Sequence, residues 1–117
     1  MREPIRAALA AVLLLGAGAS APAADPPRVV EIVAKRFEFA PNEVNVKRGE
    51  PVTFRLRTED VTHGFFSRKL KIDADVAPGK PTDVTITPDA VGTFTVICDH
   101  FCGAGHGNMK MKVVVED

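Results

Sequence analysis

Residues 93–115 read TFTVICDHFCGAGHGNMKMKVVV, and this stretch decides the fold class. Phe94, Val96 and Cys98 fall on one side of a two-residue alternation. Met109, Met111, Val113 and Val115 share one parity farther on. Such alternation is what a strand with one buried face requires, because successive side chains point to opposite sides of the pleat. The same signature recurs upstream: Val30, Ile32 and Ala34, then Val44 and Val46, then Val52, Phe54 and Leu56 within Pro51–Arg57, then Val84 and Ile86 within Thr82–Thr87. Turn-forming residues at Pro41-Asn42, Arg48-Gly49, Pro78-Gly79-Lys80-Pro81, Pro88-Asp89 and Val91-Gly92 punctuate these runs at short intervals. No stretch carries the apolar period of an amphipathic helix. The chain therefore reads as all-β, with about seven short strands in two packed sheets.

The chain has 117 residues, with 15 basic side chains against 15 acidic ones and a formal charge of zero. That length supports one small domain. Balanced charge without a basic run argues against nucleic acid as a partner. Trp and Tyr are absent, which leaves few platforms for base stacking. An apolar content of 45% excludes a disordered polar chain. Two Cys are too few for a disulfide framework. No phosphate-binding glycine loop, dinucleotide fingerprint or nucleophile elbow is present.

The N-terminus has the layout of a secretory leader. Arg2 and Arg6 supply positive charge, Ala7–Ala19 is apolar, and Ala21-Pro22-Ala23 offers a small-residue cleavage site. The apolar run is shorter than the roughly 20 residues that span a bilayer. Residues 1–23 are thus expected to be a signal peptide, and 24–117 the working domain in an exported, oxidising, periplasmic setting. Membrane association is expected only if the leader stays uncleaved.

The loop Cys98–Met109 concentrates the chemistry. Two Cys, two His and a Met lie within its twelve residues. Thiolate, imidazole and thioether are ligands of soft and borderline metals, copper first. Glycines at 103, 105 and 107 let the backbone turn tightly. His63, in Asp60-Val61-Thr62-His63-Gly64-Phe65, follows the strand Pro51–Arg57 and can reach the same end of a sandwich. The metal candidates are therefore His63, Cys98, His100, Cys102, His106 and Met109. Other readings compete: a Cys98–Cys102 disulfide, or tetrahedral zinc on His63, Cys98, Cys102 and His106. Met111 reads as core, and His100 as either a surface residue or a copper contact. A mononuclear blue site needs one Cys, two His and a weak axial ligand, which leaves a second thiol idle. Two thiolates bridging two coppers use both.

The spacing Cys98-x3-Cys102-Gly103-x2-His106-x2-Met109 resembles the CuA motif of cytochrome c oxidase subunit II, also found in nitrous oxide reductase. His63 in its context and Leu70–Lys80 match the same pattern, so the resemblance covers roughly residues 29–116. It implies a cupredoxin-like Greek-key β-sandwich or barrel. It further implies bridging thiolates at Cys98 and Cys102 and equatorial imidazoles at His63 and His106. Met109 would be the axial ligand of one copper and the carbonyl of residue 100 that of the other. The chain departs from the family pattern in having His100 where Glu is usual and in lacking the Trp that receives electrons.

The resemblance, with these departures, implies an exported, free-standing electron carrier with two coppers per chain. It is expected to be a monomer that exchanges electrons with a cytochrome or terminal oxidase and makes or breaks no substrate bonds. The alternatives are a copper carrier or assembly protein for a terminal oxidase, a mononuclear blue-copper protein, and an oxidase subunit. Lys69, Lys71, Asp73 and Asp75 are candidates to flank the copper-bearing end, although each alone reads more readily as part of a solvated loop.

Overall fold

The computed structural model describes residues 26–117. The leader read at residues 1–23 lies outside the described residues. Nine strands follow in order: β1 (Arg28–Lys35), β2 (Glu38–Ala40), β3 (Glu43–Lys47), β4 (Val52–Thr58), β5 (His63–Ser67), β6 (Ile72–Val76), β7 (Thr82–Ile86), β8 (Gly92–Ile97) and β9 (Lys110–Glu116). A single 3-10 turn, His106–Asn108, interrupts the segment between β8 and β9. Among the described residues no helix is long and apolar enough to cross a membrane.

The strands form a four-stranded sheet in the order β2-β1-β4-β7 and a five-stranded sheet in the order β3-β9-β8-β5-β6. Both sheets are mixed, since β1 runs parallel to β4 and β3 parallel to β9, while the remaining pairings are antiparallel. Each of the six runs read from alternation is a strand here. Ile32 and Ala34, Val44 and Val46, Phe54 and Leu56, Val96, and Met111, Val113 and Val115 are buried in one apolar cluster between the sheets. Val84, Ile86 and Phe94 pack against it half-buried.

The strand count exceeds the seven expected from sequence, and the extra strands have physical reasons for being missed. β2 is only three residues long. β5, His-Gly-Phe-Phe-Ser, is buried at His63, Gly64, Phe65 and Ser67, so both of its faces are covered and no alternation shows. In β6, Ile72 and Val76 point inward, but Asp73 and Asp75 between them mask the strand.

The two sheets are joined by aromatic contacts. The Phe65 ring meets Phe39 edge-on at 5.5 Å between centroids and Phe54 at 5.8 Å. Phe39 and Phe54 belong to the first sheet and Phe65 to the second, so this trio links the layers directly below His63. Replacing Phe65 by Ala leaves a cavity there and is expected to cost about 3–5 kcal/mol. Guanidinium unfolding of the metal-free protein measures it.

Candidate metal centre

Backbone register brings the sequence-distant donors together. β5 pairs with β8 through Phe66 and Ile97, which sets the start of β5 beside the end of β8. The Gly64 N–H donates to Cys98 Sγ at 3.3 Å. The Cys98 N–H donates to the Met109 carbonyl at 3.0 Å, extending the β8–β9 ladder past the last formal pair. Cys98 and Met109 thus sit at the rim of the core with their side chains turned inward, as their parity required. Both are buried, and so are Cys102 and His63.

Five donor side chains converge. His63 Nδ1 lies 3.8 Å from Cys98 Sγ, and His106 Nδ1 lies 3.8 Å from Cys102 Sγ. The two sulfurs are 3.7 Å apart, and both thiols are free. Met109 Sδ is 3.9 Å from Cys102 Sγ. The ligand atoms of His63, Cys98 and Cys102 all lie within 4.8 Å of one another, a cluster compatible with a copper site. His100 contributes differently: its side chain is exposed, while its carbonyl oxygen accepts from the Cys98 thiol at 3.2 Å.

The 3-10 turn explains how one loop delivers two donors to one sulfur. The His106 N–H donates to the Gly103 carbonyl and the Met109 N–H to the His106 carbonyl, each at 3.1 Å. These bonds fold residues 103–109 back on themselves, so that His106 and Met109 both face Cys102. His106 is only half-buried, and its ring rests against Phe101, which is 75% exposed.

Asp60 organises the other half of the site. Its Oδ1 accepts from His63 Nε2 at 2.7 Å and from the Val61 N–H at 2.6 Å. A carboxylate only accepts, so in the neutral imidazole the hydrogen sits on Nε2 and the Nδ1 lone pair is left facing the sulfur. Burial pushes the Asp60 carboxyl up. The N–H of Arg36, the His63 ring and the N–H of Val61 outweigh it and hold the group well below the usual carboxylate range. Cys102 moves the opposite way. Burial, with the neighbouring Cys98 thiol, pushes it up to about 11, while the Arg36 charge pulls down. Metal binding at Cys102 must therefore displace a proton.

Asp60 is not among the residues expected at the centre, although its place three residues before His63 is a signal for a carboxylate–imidazole pair. Of the residues expected to flank this end, Asp75 pairs with Gly64 and lies close. Lys69 and Lys71 do not. They occupy the turn after Ser67, at the far end of β5 from His63, because the β5–β6 hairpin carries them away.

Comparison with known proteins supports the same centre. Residues 6–115 match the model of the cupredoxin-like domain. The chain belongs to that family. This cupredoxin is 34% identical over 88 residues to cytochrome c oxidase subunit 2 of Thermus thermophilus, covering 75% of its own length and 65% of the relative's. It is 35% identical over 91 residues to nitrous-oxide reductase of Cupriavidus necator, covering 74% of its own length and 14% of that enzyme. It thus spans just under two thirds of the oxidase relative and a small part of the reductase. The periplasmic domain of subunit II of cytochrome oxidase (CoxB) of Bradyrhizobium japonicum shares its fold, with a TM-score of 0.71 over 77% of this chain and 84% of that one at 17% identity. The homology read from the Cys98–Met109 motif, and the cupredoxin-like fold it implied, are borne out.

Gly64 marks how closely the loop and β5 approach. A Cβ there would lie 2.8 Å from the His100 backbone nitrogen and 2.9 Å from that of Asp99, and would overlap the Asp99 carboxylate. Gly64→Ala is expected to destabilise the metal-free protein by about 1–3 kcal/mol through this overlap. Thermal melts monitored by circular dichroism read the loss.

Proposed function

We propose that this cupredoxin is an exported electron-transfer protein built around a dinuclear copper centre of the CuA type. One observation carries the reading: each buried sulfur has its own imidazole nitrogen and its own weak donor. Cys98 stands with His63 Nδ1 and the His100 carbonyl, and Cys102 with His106 Nδ1 and Met109 Sδ. A mononuclear site of one Cys, two His and a weak axial ligand would leave the second sulfur without a purpose. The donor set fits the metal, since thiolate, imidazole and thioether together favour copper over zinc. Bound copper supplies a one-electron couple.

The chain's own contribution is to fix the donors in advance. Cys98 and Cys102 would hold both ions, His63 and the His100 carbonyl one of them, and His106 and Met109 the other. The β5–β8–β9 ladder, the 3-10 turn and the Asp60 hydrogen bond restrict how far these groups move when the site changes charge. Small movement lowers the barrier to outer-sphere transfer. The donors are committed to holding metal, so the domain carries electrons rather than transforming a substrate.

Electrons would pass through the face where His106 and Phe101 meet solvent, which suits close approach by a redox protein such as a cytochrome or terminal oxidase. Residues 1–23 would be removed during export and 24–117 would work in the periplasm as a monomer. The periplasmic setting of the Bradyrhizobium domain supports that placement.

Copper analysis with absorption and EPR spectra tests the centre. Two coppers per chain, with hyperfine structure from two equivalent nuclei in the oxidised protein, are expected. One copper per chain with a type 1 spectrum, or loosely held copper without a reversible couple, overturns the reading. Met109→Leu removes a weak donor that favours the oxidised form, so the reduction potential is expected to rise while both coppers are retained. Protein-film voltammetry measures the shift.

A further inference from the structure

Arg36 lies in the β1–β2 turn of the opposite sheet, sixty-six positions from Cys102. Nothing in its own sequence neighbourhood suggests a role. Its side chain nevertheless reaches the ligand loop, where Nε–H donates to the Cys102 carbonyl at 2.8 Å. Its backbone N–H donates to Asp60 Oδ2 at 2.7 Å, and Asp60 Oδ1 accepts from His63. One residue therefore bonds to the backbone of one ligand and to the carboxylate that orients another. The next residue adds packing. The Phe37 ring lies where side chains at 103 and 105 would go: a Cβ on Gly103 would be 2.9 Å from Phe37 Cε1, and one on Gly105 2.8 Å from Cε2. Gly103 also has φ +139, so this stretch of loop accepts glycine on both counts.

We infer that Arg36 is a positioning residue of the metal centre: a strap that fixes the Cys102 end of the loop to the Asp60–His63 end and sets a positive charge beside the thiolates. The inference rests on the copper reading for its electrochemical part and on the hydrogen bonds alone for its mechanical part. A guanidinium hydrogen bond to a carbonyl is charge-assisted, stronger than a neutral one. Its charge favours the reduced, less positive centre, and its partial exposure makes that effect sensitive to salt. A residue with only a packing role would not move the potential in a salt-dependent way.

Arg36→Met is the informative change, because it deletes the side-chain donor and the charge while the backbone N–H to Asp60 survives. In the metal-free protein, amide exchange at His106 and Met109 is expected to quicken, since the turn they close loses its anchor at Cys102. In the copper-loaded protein, loss of copper to a Cu(I) chelator is expected to be about tenfold faster. The reduction potential is expected to fall, and the fall to shrink at high ionic strength. Arg36→Lys is expected to recover most of the potential and little of the copper retention, because an ammonium keeps the charge but cannot reproduce the Nε geometry. A folded Arg36→Met variant with wild-type exchange, retention and potential overturns the inference. If that variant does not fold, wild-type exchange and retention in Arg36→Lys do the same. A wild-type protein that fails to take up two coppers overturns the functional reading instead, and the exchange experiment on the metal-free protein still decides the strap.

Discussion

The centre depends on one backbone constraint, the register of β5 against β8. The Phe66–Ile97 pair and the Gly64 N–H to Cys98 Sγ bond fix it. A strand places alternate residues on opposite faces, so a slip of a single residue would turn His63 away from the sulfurs toward the Asp99–His100 loop and bring Gly64 into its place. Register is strongly specified where one face is buried, and here Phe65 anchors it by meeting Phe39 and Phe54 across the layers. The imidazole is therefore held by the packing of the domain, and the Asp60 hydrogen bond orients the ring and sets which nitrogen faces inward.

Charge around the sulfurs is balanced in a similar way. Burial, together with the Cys98 thiol 3.7 Å away, opposes ionisation of Cys102 and keeps it protonated in the absence of metal. Asp60 on one side and Arg36 on the other bracket the pair with opposite charges. Neither lies among the direct donors, yet each touches one of them, and the two are bonded to each other through the Arg36 backbone. Both Asp60 and the His63 ring nitrogen that it engages are satisfied, consistent with the absence of any unpartnered buried side-chain N or O among the described residues.

Much of this was legible in the sequence, because it was carried by short-range pattern. Alternation located six strands, and the clustering of Cys, His and Met in one glycine-rich loop located the centre. The parity of Cys98 and Met109 even gave their common inward direction. What escaped was carried by long-range contact. β5 looks unlike a strand because both faces are covered, and β6 because acidic residues separate its two buried ones. Asp60 could have been suspected from its spacing to His63. Arg36 could not, since its importance comes from a turn in one sheet reaching a loop that closes the other. The lysines at 69 and 71 sit in the solvated turn, the alternative reading for them, because proximity to His63 along the chain says nothing about which end of a hairpin they occupy.

The parallel pairing of β3 with β9 has a consequence for how the molecule is made. β3 lies at the sheet's edge, and its neighbour is the last strand described, so Val44 must wait for Val113 before its ladder can form. A chain emerging from the ribosome or a translocation pore carries β3 unpaired until almost all of the domain is out. Non-local pairings of this kind fold slowly. His106 and Met109 stand immediately before β9, so the cradle for metal takes shape only at that final closure, and maturation would follow synthesis rather than accompany it.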